Sequence, residues 1–154
     1  MTIRRAKNND IEAITNLLGQ VLEIHAELRP DVFIHGTTKY TRAELEEKIG
    51  NDGAPIFVAE DDGKVEGYAF CVIEDHAATV NTRATKTLYV DDLCVDGNCR
   101  GKHVGKTLYD YVIAFAKSIG CYNVTLNVWE GNAARRFYEK MGMKARKTMM
   151  ETVL

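Results

Sequence analysis

The chain has 154 residues, 45% of them hydrophobic and 27% charged, which predicts a single domain spanning residues 1–154 with its own core. Its 20 basic and 22 acidic residues leave a net charge of -2, which argues against nucleic acid as a partner. No apolar run approaches the roughly 20 residues that span a bilayer, and no apolar signal segment opens the chain, so we expect a cytoplasmic protein without a membrane partner.

Hydrophobic periodicity predicts a strand, two helices and a β-hairpin in the first half of the chain. In chain order these are a strand at residues 2–6, a helix from 11 to just before Pro30, an irregular segment at 30–40, a second helix from 41 to 50, and strands at 56–60 and 65–73 joined by a turn at 61–64. Asn8, Asn9 and Asp10 offer capping side chains to the first helix. Thr41 and Glu44 form a capping box for the second.

The second half predicts two more strands, two more helices and a tail. A strand at 83–95 precedes a helix with one apolar face at 104–119, a strand at 124–128 and a short helix at 134–141. Gly120 and Gly142 follow these helices, as glycine commonly does at a helix end. We predict one or two closing strands in the tail, residues 143–154. The mixture of elements is typical of an α/β or α+β layer with a largely antiparallel front half.

The cysteines and histidines are scattered along the chain. Cys71, Cys94, Cys99 and Cys121 form no C-x-x-C pair, and no companion ligands surround the two that lie five residues apart. We therefore predict reduced thiols, most of them buried, and no metal site.

A basic, glycine-containing loop joins the predicted strand at 83–95 to the helix that follows. Residues 100–105 read R-G-K-H-V-G. A loop of this kind binds phosphate, because free backbone N–H groups and the positive end of the helix dipole converge on one anion. The following Lys106-Thr107 imitates the end of a P-loop, but a P-loop needs glycine at position 100, where this chain has Arg100. A nucleoside-triphosphatase is therefore the least favoured interpretation.

Two motifs resemble those of the GNAT acetyltransferases. Arg100 and Gly105 occupy the first and last positions of R-x-x-G-x-G/A, the acyl-CoA pyrophosphate loop of that family, and the preceding L-C-V at 93–95 resembles the family's L-x-V strand end. Residues 132–143, N-A-A-R-R-F-Y-E-K-M-G-M, resemble its N-x-x-A-x-x-F-Y-x-x-x-G-F segment. The motifs stand in the family's order, about thirty residues apart.

The resemblance implies a fold, a reaction and a set of partners. The fold is the GNAT acyltransferase fold, a mixed, mostly antiparallel twisted sheet flanked by helices on both faces. The reaction is direct transfer of an acetyl group from acetyl-CoA to a primary amine, without a covalent acyl-enzyme and without a metal. The family also suggests a homodimer.

The implied donor site combines the strand end, the loop and the later segment. Its cofactor-binding positions are Leu93, Cys94, Val95, Arg100, Gly101, Lys102, His103, Val104, Gly105, Lys106, Asn132 and Tyr138. Backbone groups of Leu93 and Val95 are expected to pair with the pantetheine amides as if these were an added strand. Asn132 contacts the CoA arm, caps a helix, or does both. Lys102 and Lys106 either add positive field for the phosphates or are ordinary surface lysines.

His103 departs from the family pattern, which usually has glycine at this position. Glycine there lets the backbone approach the ligand closely. The histidine is either a solvent-facing substitution or an additional phosphate donor that titrates near neutral pH.

Acetyl transfer requires proton removal from the amine and proton delivery to the departing thiolate. The resemblance makes Tyr138 the general acid. Asp91 and Asp92 are the candidates for proton removal, directly or through water, or else they bind a cationic substrate. Neighbours in a strand point to opposite faces, so only one is expected to face the cleft, and a local bulge could change which one. Cys94 as a nucleophile is a weaker alternative, since no histidine adjoins it.

Acidic side chains guide the expectation for the acceptor. An acidic strand and front half favour a small polyamine-like or amino-acid-like amine. The carboxylates that could recognise a cation, or form a solvated acidic face instead, are Glu23, Glu27, Asp31, Glu74 and Asp75. Two alternatives stay open: a protein or peptide N-acetyltransferase, and a non-catalytic acyl-CoA sensor on the same fold.

Overall fold

A five-stranded sheet organises the protein, and the computed structural model describes all residues from 1 to 154. The helices and strands are β1 (Thr2–Arg5), α1 (Ile11–Leu28), α2 (Arg42–Ile49), β2 (Ile56–Asp61), β3 (Lys64–His76), β4 (Thr85–Val95), α3 (Val104–Ser118), β5 (Asn123–Leu126) and α4 (Ala134–Lys140), with short 3-10 turns at Asn8–Asp10 and Gly97–Cys99. The strands lie in chain order, and every neighbouring pair is antiparallel except β4 and β5, which are parallel. This confirms the predicted mixed, mostly antiparallel sheet.

The helix and turn signals in the sequence operate as predicted. The Thr41 hydroxyl accepts a hydrogen bond from the Glu44 N–H, and this capping box begins α2. Gly120 and Gly142 adopt positive φ angles of 76° and 91° where α3 and α4 end, a conformation that glycine adopts without strain. Residues 30–40 form no helix or strand, as expected.

Two apolar clusters cover the two faces of the sheet. On one face α1 and α2 pack over residues of β2, β3 and β4, including Tyr68, Phe70 and Cys94. On the other face α3 packs over Leu88 and Val90 of β4 and over neighbouring strands. Each face is therefore buried by helices, as the resemblance implies, and β4 contributes side chains to both clusters.

Two local predictions are wrong. Residues 143–154 form no strand, and no backbone hydrogen bond joins two main-chain groups beyond the one that the Met143 N–H donates to Tyr138. A strand needs a partner along its length, and none lies beside this tail in the protomer. Asp10 does not cap α1 with its side chain, because its carboxylate accepts hydrogen bonds from the Arg4 guanidinium and the Lys7 N–H instead.

None of the helices is both long enough and apolar enough to cross a bilayer.

Candidate active site

The parallel pair of strands opens part-way along its length. β5 pairs with β4 only over Thr87–Val90, and β4 then continues to Val95 with β3 on one side and no strand on the other. The Asp96 N–H donates to the Glu66 carbonyl, and backbone groups alternate in direction along a strand. The N–H and C=O groups of Leu93 and Val95 therefore face the open side. This edge can pair with an extended ligand as an added strand would.

The loop after β4 turns sharply into α3. Asp96 accepts a hydrogen bond from the Asn98 N–H at 3.0 Å and begins the 3-10 turn. Gly101 and His103 then adopt positive φ angles of 88° and 60°, and α3 begins at Val104. The first N–H groups of a helix lack intrahelical acceptors, so this turn presents free donors beside the open edge.

The left-handed backbone at His103 explains why glycine suits this position. A non-glycine residue in this conformation costs on the order of 1 kcal/mol. The predicted phosphate loop therefore keeps its shape here at an energetic cost, and the imidazole is exposed.

Both lysines of the predicted loop already have carboxylate partners. The Lys102 ammonium lies 2.9 Å from Oε1 of Glu66, which is buried in the protein. The Lys106 ammonium pairs with exposed Asp110 one helical turn later. Their side chains thus do not converge on the anion position, whereas their backbone groups belong to the loop and the first turn of α3.

The first turn of α3 also contacts α4. A Cβ atom at Gly105 would lie 3.4 Å from the Phe137 ring and 3.5 Å from the Val95 side chain, so Gly105 lies against both α4 and the end of β4. The Asn132 side-chain oxygen accepts a hydrogen bond from the Ala134 N–H at 2.9 Å and caps α4. Tyr138 packs on the Phe137 ring with centroids 5.3 Å apart. The strand end, the loop and α4 are therefore assembled around the open edge.

A β-bulge decides where the two aspartates point. Phe70 pairs with Asp92 and Cys71 pairs with Val90, so Asp91 is an extra residue in β4. Val90 belongs to the α3-side cluster and Cys94 to the α1–α2 cluster, which shows that the bulge shifts the alternation. The expectation that only one aspartate faces the α1–α2 side is therefore wrong, because bulges redirect side chains in this way.

Different partners hold the two carboxylates. Asp91 accepts hydrogen bonds from the Lys39 ammonium at 2.7 Å and from the Tyr40 hydroxyl at 3.0 Å. Asp92 accepts one from the Tyr68 hydroxyl at 2.8 Å. A cation thus neutralises Asp91, while a neutral phenol is the hydrogen-bond donor to Asp92.

The pKa values of Asp92 and Tyr138 suit opposite roles in proton transfer. Burial raises the pKa of Asp92 to about 6, although the Tyr68 hydrogen bond acts in the opposite direction. Burial and then the nearby Asp92 charge raise the pKa of Tyr138 to about 12. Near neutral pH, Asp92 can therefore accept a proton, while Tyr138 keeps one that it can donate.

The Cys94 thiol does not suit nucleophilic attack. Burial, followed by the charges of Asp92 and Asp96, raises its pKa to about 12. Its Sγ donates a hydrogen bond to the Leu17 carbonyl at 3.5 Å. Since the thiolate is the reactive form, this environment argues against a covalent acyl-enzyme on Cys94.

The irregular segment at 30–40 closes the α1–α2 side of the site. Phe33 packs between the rings of His25 and Trp129, with centroid distances of 5.1 and 5.6 Å. Tyr40 stacks on Phe70 at 5.7 Å. The segment therefore places the Tyr40 ring on Phe70, where its hydroxyl reaches Asp91.

The scattered acidic residues do not gather into a cation site. Glu23 binds the His35 ring and the Gly36 N–H. Asp31 pairs with Arg29, and Glu74 pairs with His76. Glu27 and Asp75 complete the set, and both belong to the partly or fully exposed surface. No group of three His, Cys, Asp or Glu side chains is arranged to hold a metal ion, and all four cysteines are free thiols.

Four residues of the site carry no signal in the sequence: Lys39, Tyr40 and Tyr68 beside the aspartates, and Glu66 beneath the loop. Each meets a residue at least 24 positions away in the chain, so no local spacing signals the contact. Tyr40 directly precedes the Thr41 capping box, the one nearby feature that the sequence does display.

The model of the Acetyltransferase (GNAT) family matches residues 19–143. The chain belongs to the GNAT family. This GNAT protein is 32% identical over 98 residues to glucosamine 6-phosphate N-acetyltransferase from Arabidopsis thaliana. The match covers 55% of this chain and 64% of that enzyme. It is 25% identical over 151 residues to the enzyme of the same name from Trypanosoma brucei brucei, covering 97% of this chain and 93% of the relative.

Solved structures extend the GNAT comparison to the whole chain. A crystal structure of a mutant BH1408 protein from Bacillus halodurans superimposes with a TM-score of 0.96 at 28% identity, covering 100% of this chain and 99% of that one. A crystal structure of glucosamine-6-phosphate N-acetyltransferase from Arabidopsis thaliana covers 99% of this chain and 97% of that one, with a TM-score of 0.72 at 26% identity, so the similarity to acetyltransferases extends over nearly all of the chain.

Proposed function

We propose that this protein is an acetyl-CoA-dependent N-acetyltransferase that acts on the primary amine of a small molecule. One observation supports the proposal: Asp92 of β4 lies close enough to Tyr138 of α4 for its charge to raise the pKa of the Tyr138 phenol, and the two groups have pKa values that suit opposite proton roles. The acceptor is Asp92, with a pKa of about 6, and the donor is Tyr138, with a pKa of about 12. These are the two proton functions that direct acetyl transfer needs.

The donor substrate is assigned to the open edge and the loop. The pantetheine amides pair with the free backbone groups of Leu93 and Val95. The pyrophosphate binds the loop and the first turn of α3, where N–H groups and the helix dipole favour an anion. The amide nitrogen of Asn132 adds a contact to the CoA arm while its oxygen caps α4.

The reaction proceeds by direct attack. The substrate ammonium gives a proton to Asp92, directly or through one water, and the amine nitrogen forms a bond to the thioester carbonyl carbon. The carbon–sulfur bond then breaks, and Tyr138 donates its proton to the departing thiolate. The new amide nitrogen releases its second proton through water, which restores the Tyr138 phenol, and solvent removes the proton from Asp92, so the protein ends unchanged. Asp91, which already pairs with Lys39, supports the site without taking the proton.

The acceptor is a small amine, and an amino sugar phosphate is a second, narrower candidate. Three of the five carboxylates that suggested a polyamine, Glu23, Asp31 and Glu74, are paired with other side chains. Lys39 already neutralises Asp91, so this carboxylate is not free to bind a polycation, and two relatives are named glucosamine 6-phosphate N-acetyltransferases. A substrate that combines an amine with an anionic group fits these observations better than a polycation does.

A binding measurement followed by an activity measurement tests the proposal. Thermal stability is recorded with acetyl-CoA, CoA and Mg-ATP, and thiol release is then followed with glucosamine 6-phosphate, glucosamine, spermidine, free amino acids and a lysine peptide. We expect stabilisation by both CoA species and turnover of a small amine. Stabilisation by Mg-ATP alone would refute the donor assignment. CoA binding without turnover of any amine would indicate a sensor, and turnover of the peptide alone would indicate a protein acetyltransferase.

A cytoplasmic location and a homodimer complete the proposal. Four free thiols suit a reducing compartment. The tail exposes Met149, Met150, Val153 and Leu154, and apolar side chains of this kind favour burial against a second copy. Light scattering at several concentrations should give a dimer for the full chain and a monomer after truncation at residue 144. A monomeric full chain would contradict this part.

A further inference from the structure

A buried carboxylate stands outside the reaction centre, beneath the donor loop. Glu66 is 4% exposed. Glu66 forms a β-bulge in the pairing of β3 with β2. Ala59 pairs with Gly67 and Glu60 pairs with Val65, so Glu66 has no partner residue in β2. Bulges of this type redirect a side chain, and this one directs Glu66 away from the regular ladder. A buried charge is costly unless it is paired, so its partner matters.

The partner is the middle residue of the donor loop. The Lys102 ammonium lies 2.9 Å from Oε1 of Glu66, while Oε2 is buried with no hydrogen-bond donor. This ammonium is the main cause that lowers the pKa of the Glu66 carboxyl, and burial acts in the opposite direction. The lysine therefore neutralises a charge of the sheet and is not a free cation of the loop.

The loop needs a fixed attachment at this point. His103, directly after Lys102, has a left-handed backbone conformation, which is strained for a residue other than glycine. A strained conformation persists only where the surroundings hold it. Cys99, at the start of the loop, is buried in the α3-side cluster, and Lys102 is the next residue with an attachment to the sheet.

The packing beside Glu66 is rigid enough to serve as that attachment. A Cβ atom at Gly67 would lie 2.8 Å from the Cys94 carbonyl oxygen and 3.0 Å from the Leu108 side chain. β3, β4 and α3 therefore approach one another as closely as their backbones permit next to the Glu66 side chain. A group anchored here has little room to move.

We propose that Glu66 is a positioning residue for the donor loop and acts through Lys102. It holds Lys102 so that the backbone donors of the loop and of α3 are aligned for the pyrophosphate before the ligand arrives. Lys102 then contributes to donor binding through the loop's conformation and not as a counter-charge of the phosphates. This inference rests on the proposed function, because it assumes that the loop binds the pyrophosphate of acetyl-CoA.

A double-mutant cycle distinguishes positioning from direct phosphate contact. The variants are Glu66→Gln, Lys102→Met and the double variant, and the measurements are the Kd of CoA by calorimetry and the kcat and KM values for both substrates. Each single change should weaken CoA binding by about tenfold, the scale of one hydrogen bond to a charged group. The double variant should lose no more than either single variant, since the same contact is removed. kcat and the acceptor KM should stay within about twofold of the wild-type values.

Two other patterns would overturn the proposal. If Lys102 contacts phosphate directly, Glu66→Gln leaves the Kd of CoA unchanged or lowers it, and only Lys102→Met weakens binding. If the pair is merely structural, melting temperatures fall while the Kd of CoA, measured well below the melting transition, does not change. Failure of the wild-type protein to bind CoA at all would instead refute the proposed function.

Matched variants keep the test decisive. Glu46→Gln breaks the exposed Arg42–Glu46 pair on α2, far from the loop in sequence, and should leave every parameter unchanged. Lys102→Arg keeps the charge and the pairing and should retain most of the affinity for CoA. If Glu66→Gln does not fold, Glu66→Asp shortens the side chain by one methylene and should still weaken CoA binding. Unchanged affinity in that variant would contradict the proposal.

Discussion

The donor and acceptor sides of β4 are built from different parts of the chain. On the donor side the open backbone edge of β4, the loop and the start of α3 come from one stretch of about twenty residues. On the acceptor side Lys39, Tyr40 and Tyr68 reach Asp91 and Asp92 from elements far apart in sequence. Backbone groups therefore dominate the donor side and side chains the acceptor side. Substitutions at the acceptor side should mainly change kcat, and those at the donor side should mainly change the KM for acetyl-CoA.

The largest expected effect is that of Asp92→Asn. Loss of a general base costs roughly 10²- to 10⁴-fold, and we expect kcat/KM for the amine to fall about a thousandfold. In the wild-type protein, activity should rise with pH through about 6 as Asp92 ionises, and the variant should lack that limb. The measurement is a pH profile of kcat/KM with saturating acetyl-CoA.

Asp91→Asn is the matched control, since both residues lie on the same face of β4. Its carboxylate is paired with Lys39, so the loss should be much smaller and the limb near pH 6 should remain. If Asp91→Asn abolishes the limb and Asp92→Asn keeps it, the roles of the two aspartates are reversed.

The next effect is that of Tyr138→Phe. Without the phenol, the thiolate must leave unprotonated or take a proton from water, and we expect kcat to fall about a hundredfold. The Kd of CoA should stay within about threefold, because the ring keeps its packing on Phe137. Thiol release under saturating substrates gives kcat, and calorimetry gives the Kd. An equal loss in affinity and no loss in kcat would make Tyr138 a donor-side packing residue.

Asp92 should also reduce the stability of the folded protein near neutral pH. Its folded-state pKa of about 6 exceeds the ordinary aspartate value of about 3.9, so the unfolded chain releases the proton first. Stability is therefore lost as pH rises from about 4 to about 6, by up to ~3 kcal/mol. At pH 7.5, Asp92→Asn should raise the free energy of unfolding by up to that amount, whereas at pH 4 the difference should vanish.

Denaturant titrations of both proteins at the two pH values measure this difference. The Tyr68 hydroxyl can still donate to the amide oxygen of asparagine, so the hydrogen bond survives the change. If Asp92→Asn is less stable than the wild-type protein at pH 7.5, the ionised Asp92 does not destabilise the folded state and the prediction is wrong. Increased stability with lost activity is the usual mark of a functional residue.

The same comparison explains how much the sequence could predict. Thr41, Gly120 and Gly142 act through interactions within a few residues. As predicted, α2 begins after Thr41, and α3 and α4 end just before Gly120 and Gly142. The donor loop is equally local, and its spacing carries the family resemblance that the family model confirms. Features made by neighbouring residues are visible in a sequence.

Features that depend on the pairing between strands are not visible in the sequence. The bulge at Asp91 depends on how β4 registers against β3, and alternation alone sends Asp91 and Asp92 to opposite faces. The contact between Glu66 and Lys102 likewise depends on a bulge, the one in the pairing of β3 with β2. The tail at 143–154 carries a strand-like pattern, but strand propensity has no effect without a neighbouring strand. These are the places where the sequence-based predictions stop or are wrong.

The smallest expected effect tests the donor side at His103, where the family usually has glycine. The imidazole either faces solvent or donates to a phosphate. If it donates, His103→Ala should raise the KM for acetyl-CoA a few-fold, because a hydrogen bond to the phosphate is lost. Alanine also keeps a side chain on a left-handed backbone, so a change in KM reports the imidazole. His103→Asn is the control, since asparagine tolerates this conformation and its amide can donate in place of the imidazole, so its KM should stay close to the wild-type value. An unchanged KM in His103→Ala would mean that the imidazole binds no phosphate. The donor side would then rely on backbone groups alone, and its contrast with the acceptor side would be complete.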